Sequence, residues 1–100
     1  MNHLSYGALA IAHFLRGRYH EVAQAGRRSV RAIPSSSVSR SVLAAALAKL
    51  GRIEEAKAVA LQVLALAPSF SAARFCAATG LPTALAEPIT DAWITAGLPP

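Results

Sequence analysis

Acids, aromatics and cysteine are all scarce in this chain. Asp and Glu together number five against ten Lys and Arg, aromatics make up 6% of 100 residues, and Cys76 is the sole cysteine. One cysteine excludes an intramolecular disulfide framework and suits a reducing compartment, so a cytoplasmic location is expected. No run reaches the roughly 18 apolar residues that a membrane helix needs. The apolar stretch from Leu4 to Leu15 lacks a basic start and is interrupted by Tyr6, Gly7 and His13, which makes it a poor signal peptide. Alternating Val, Ile and Tyr are missing, so no strand is expected.

What remains is a helical composition. Hydrophobic residues are 54% of the chain and alanine alone fills 23 positions, so a core is affordable but must be closely and shallowly packed. Ala, Leu and Arg favour helix, and this length allows one domain. The formal charge of +5 is unevenly spread: residues 1–52 carry +7 and residues 53–100 carry −2. Such a gradient fits either an anionic partner or a solvated basic face.

The stretch "LRGRYHEV" at residues 15–22 returns in altered form as "LGRIEEA" at residues 50–56. Gly17 and Gly51 are 34 residues apart, as are Pro34 and Pro68. Glycine at these places suits a left-handed residue just past a helix end, and each proline stops a helix. Ser35-Ser36-Ser37 and Ser69 then offer N-caps for the next helix. Helices are therefore expected at about residues 3–16, 19–32, 37–50 and 53–66. A further helix begins near Ser69 and stops at Gly80. A last one runs from Ala84 or Pro88 to Ala96, with Pro88 near its first turn and Gly97 as its stop. Leu85, Ile89, Ala92, Trp93 and Ala96 form its apolar stripe.

A 34-residue helix–turn–helix period resembles the tetratricopeptide (TPR) repeat. Tyr6, Leu9, Ala10, Gly17, Tyr19 and Pro34 match that pattern in one repeat; Leu43, Ala44, Leu47, Gly51, Ile53, Ala56 and Pro68 match it in the next. The resemblance implies an all-α, right-handed superhelix. It divides the chain into repeat 1 at residues 1–34, repeat 2 at 35–68, and a truncated third repeat with a C-terminal capping helix at 69–100. Ala10 and Ala44 would let paired helices approach closely, with Val22 and Ala56 at the contact. Repeat 1 departs from the pattern at Val22 and at Gly26, which stands where a bulky residue is usual and costs about 1 kcal/mol in a helix interior. Arg40 replaces an aromatic in repeat 2. Trp93 is expected to plug the open end of the stack.

The stretch from Phe14 to Phe75, followed by a short broken region and a last helix ending in "AGLPP", also resembles the C-terminal TPR region of proteobacterial class III adenylate/guanylate cyclase-like proteins. This implies a natural end at Pro100. None of that group's metal-binding aspartates or nucleotide-binding residues can be placed here, since its catalytic domain lies upstream. A detached regulatory region of such a protein is the alternative reading.

No residues assemble a catalytic pattern, so an enzyme, a metal and a cofactor are not expected. His20-Glu21 begins a zinc-type motif that fails at Gln24. His13 is expected in the hairpin core with its nitrogens partly satisfied, and Cys76 as a small core residue. Glu54 and Glu55 suit a helix N-terminus, where their charge meets the dipole.

Two surfaces remain as candidates. In a TPR the first helix of each hairpin lines a concave groove, here Leu4, Gly7, Ile11, Phe14 and Leu15 from repeat 1 and Val38, Ser41, Ala45, Ala48 and Lys49 from repeat 2. That mainly apolar groove would take an amphipathic helix or extended peptide of a protein partner, or be the seat of repeats upstream of Met1. Arg27, Arg28 and Arg31 form a basic patch on the second helix, the convex side of a TPR. Nucleic acid ranks below protein there because no aromatic platform accompanies the arginines. Two repeats are fewer than a solenoid usually needs, so a homodimer through the face of the first repeat, or a loose monomer, is expected.

Overall fold

The computed structural model describes residues 12–80 and 83–100, with side chains excepted at 78–79 and 83–85. Every regular element among them is an α-helix. We number these α1 (described over residues 12–15), α2 (Tyr19–Ala32), α3 (Ser37–Lys49), α4 (Ile53–Leu66), α5 (Ala72–Thr79) and α6 (Thr83–Thr95). The helices after the two glycines and after Pro34 fall where the sequence pattern puts them, to within a residue.

The 34-residue period is written into the backbone. Gly17 and Gly51 adopt φ of 76° and 81°. At each, the glycine N–H bonds three residues back (to Phe14 and Ala48 carbonyls, 3.0 and 3.1 Å), and the next N–H bonds five residues back (Arg18 to His13, 3.0 Å; Arg52 to Leu47, 2.9 Å). These paired bonds are a Schellman motif, which satisfies carbonyls that a helix end otherwise leaves orphaned. The far ends match too: Ile33 and Ala67 donate to Ser29 and Val63 at 2.8 Å each, and Ser36 and Phe70 donate to Ile33 and Ala67.

The period then slips by one residue. Ser36 caps α3 by accepting from the Ser39 N–H at 3.2 Å, but 34 residues later stands Phe70, which has no acceptor. The cap of α5 is instead Ser71, accepting from the Arg74 N–H at 3.1 Å. The expected start near Ser69 is thus corrected to Ala72, and Phe70 turns inward against Trp93 at a ring separation of 5.3 Å.

Helix α3 is the centre of the molecule. Every residue from Ser41 to Leu47 is buried, and seven consecutive positions span all faces of a helix with 3.6 residues per turn. It packs against α2, α4 and α6. On the α2 side Gly26 makes the approach possible: a Cβ there would stand 3.2 Å from the Leu43 Cβ. The helix-propensity cost of this glycine therefore accompanies a close contact between helices, and the Ser29 and Ser39 hydroxyls bond across the same interface at 2.6 Å. On the α4 side, Ala56, Ala60 and Val63 form the buried stripe. Arg40 reaches the Gln62 side chain at 3.0 Å and the Pro34 carbonyl, so it links α3, α4 and the inter-hairpin turn.

Helix α6 completes the enclosure. Ile89, Ala92, Trp93 and Ala96 are buried as the stripe requires; the side chain of Leu85 lies outside those described. Pro88 sits inside this helix, five residues past its first, rather than near its first turn. Gly97, at φ 94°, ends α6 with a third Schellman pair, Gly97 to Ile94 at 3.0 Å and Leu98 to Trp93 at 2.8 Å. The following strand of chain is tied back by the Ala72 N–H, which donates to the Pro99 carbonyl at 3.0 Å.

Candidate interaction surfaces

The expected groove is filled from within the chain on its repeat 2 side. Ser41 and Ala45 have no exposed surface. The Trp93 indole N–H donates to the Ser41 carbonyl at 2.8 Å, which places α6 on the face of α3 that was expected to line an open groove. Phe70 and Phe75 close around the same indole, with ring separations of 5.3 and 4.9 Å. Phe14 is also buried, in edge contact with Tyr19 at 5.1 Å. Phe14, Ser41 and Ala45 are therefore core residues, a correction to the groove reading. Ala48 is half-buried, while Leu15, Val38 and Lys49 are exposed. Leu4, Gly7 and Ile11 lie outside the described residues.

A sequence signal for this outcome exists. Val42 to Ala48 contains no polar residue. A helix that is apolar all round belongs in an interior rather than on a groove wall.

The basic patch does come together. Gln24, Arg27, Arg28 and Arg31 line one shallow cleft of about 270 Å³ on the outer face of α2. Arg27 also bonds the Glu55 carboxylate at the start of α4, at 3.1 Å. Both side chains are about half exposed, so the pair is worth under about 1 kcal/mol. Arg28 and Arg31 are exposed and have no acidic partner among the described residues.

A larger cleft of about 500 Å³ opens between α5 and α6. Alanines from both helices line it, with Glu87 and Asp91 from α6 and Cys76 from α5. Cys76 is half-buried there, not enclosed in the core as expected. The cleft was not foreseen from sequence. The available signals were an alanine-only spacing on α5 (Ala73, Ala77) and two carboxylates four residues apart on α6.

Of the three histidines, His3 lies outside the described residues. His13 is half-buried, and its Nδ1 is enclosed without a hydrogen-bond partner among the described residues; His20 is exposed. No three His, Cys, Asp or Glu side chains gather as a metal site among the described residues, and no described helix is long and apolar enough to cross a membrane. Among the described residues, the most open of the large apolar side chains is Leu61 on α4, at 69%. A scan against protein-family models, a search of curated proteins and a search of solved structures find no match to the chain.

Proposed function

We propose that the chain is a non-catalytic protein-interaction or self-association module of TPR type, built on two helical hairpins and a C-terminal helix. The observation that carries this reading is the 34-residue recurrence of whole turns. Glycine conformation, both Schellman bonds and both helix-end bonds repeat at one spacing. Repetition at that level is what a stack of interaction repeats requires, since each hairpin must present the same faces to its neighbours.

The partner is a protein or peptide. It meets the outer surfaces, because the repeat 2 part of the groove is occupied by α6. The accessible residues are the exposed ones of α2 and α4, together with Leu15 and Val38 at the edges of the former groove. Photo-crosslinking residues placed one at a time at Leu15, Val38, Leu61 and Arg28 test this. Discrete protein adducts from one or two positions, in purified form or in cells, are the expected result. Absence of adducts at every position would overturn the reading. Ala45 is unsuitable as a probe, because a bulky or charged group at a site with no exposed surface disrupts the fold before it reports on binding.

A further inference from the structure

We propose that copies of this chain associate head to tail, the arginine face of α2 on one copy seating in the α5–α6 cleft of the next. This rests on the protein-interaction reading and names its partner as a second copy. The two surfaces are complementary in charge. The cleft holds Glu87 and Asp91, neither of them ion-paired among the described residues. The outer face of α2 holds Arg28 and Arg31, likewise without an acidic partner there.

They also match in spacing. Glu87 and Asp91 are four residues apart on one helix, which at 1.5 Å per residue separates them by about 6 Å along the axis. Arg28 and Arg31 are three apart, about 4.5 Å by the same rise, a difference that flexible side chains absorb. Two helices lying roughly side by side can then pair both charges at once. Arg27 on the same face already clasps a carboxylate, that of Glu55, so the face is competent for this contact within the chain itself.

The cleft suits arginine in particular. Four alanines (Ala72, Ala73, Ala77, Ala86) line it beside the two acids, a lining that accommodates the aliphatic stems while the guanidinium groups reach Glu87 and Asp91. A cleft of about 500 Å³ has room for two such side chains. Seated head to tail, the contact is heterologous: it leaves one arginine face and one cleft unfilled on every pair and propagates into rings or chains. An isologous homodimer through the first-repeat face would stop at two.

Sedimentation velocity over a concentration series tests this, with wild type, R28E/R31E, E87R/D91R and a mixture of the two variants. All four substituted positions are exposed, and circular dichroism with R28Q/R31Q as a milder partner variant checks that the fold survives. The expected result is a wild-type mass that grows past the dimer and an association weakened about tenfold or more on going from low salt to 0.5 M NaCl. Each charge-reversed variant alone should be monomeric, and mixing them should restore assembly. Three results overturn the proposal: a wild-type monomer at every concentration in low salt, an association that stops at the dimer or ignores both reversals, or reversed variants that fail to rescue each other. None of these removes the protein-interaction reading, which the crosslinking adducts decide separately.

Discussion

Trp93 donates its indole N–H to the backbone carbonyl of Ser41 at 2.8 Å, across 52 residues of sequence. This bond fastens the last helix to the central one and sits inside the cluster with Phe70 and Phe75. Trp93→Phe retains an aromatic ring but loses the donor and part of the volume, and should cost about 1–3 kcal/mol in a urea titration. Trp93→Ala should cost about 3–5 kcal/mol. That is a large share of the 5–15 kcal/mol typical of a domain, so this variant is expected to melt near ambient temperature. A Trp93→Ala protein of unchanged midpoint would show that α6 is not integral to the fold.

The two hairpin turns make a paired prediction. Gly17 and Gly51 hold nearly the same positive φ, and a Cβ at either meets nothing within 4 Å. Alanine there costs only backbone strain, about 1–2 kcal/mol at each site. The two losses should agree within error and add in the double variant, since the turns are separate. Unequal losses in thermal melts would mean that the repeats are less alike than their hydrogen bonds.

Cap residues separate what sequence pattern and structure assign at the third helix. Ser71→Ala should destabilise by about 0.5–2 kcal/mol, as should Ser36→Ala, because each loses the acceptor for an orphan N–H. Ser69→Ala should change the melting midpoint by almost nothing. If Ser69 proved the sensitive position, the one-residue slip after Phe70 would be wrong.

Gly26 tests the close approach of α2 and α3. Helix propensity alone predicts that replacing it stabilises by up to about 1 kcal/mol. Contact with Leu43 predicts the reverse for any large side chain. Gly26→Leu should cost about 1–3 kcal/mol through overpacking, read as a lower denaturant midpoint with unchanged slope. A neutral or stabilised Gly26→Leu would show that the helices separate readily there.

Helix positions, turn glycines and the all-α class were readable from the chain because each depends on local chemistry. A glycine tolerates positive φ and a proline cannot continue a helix, wherever they sit in a fold. Gly97 was legible for the same reason, as was a cap within the serine run at 35–37. The cap at Ser71 was not, because Ser69 and Ser71 are equal candidates until Phe70 is known to be drawn inward by Trp93.

The basic patch was legible as a helical spacing of arginines. The groove was only partly so. The TPR resemblance put Ser41 and Ala45 on a groove-lining face of α3, but a face does not say what covers it. Trp93 covers it here, and the contact spans 52 residues that no local pattern links. By itself, then, the sequence determined the helical class, the turn glycines and the 34-residue recurrence, all set by interactions within a few residues. Tertiary structure alone decided which face of α3 is closed, why a glycine stands at position 26, and that alanines and two carboxylates from separate helices share one cleft. Those outcomes depend on long-range packing, where burial is won by whichever apolar surface fits.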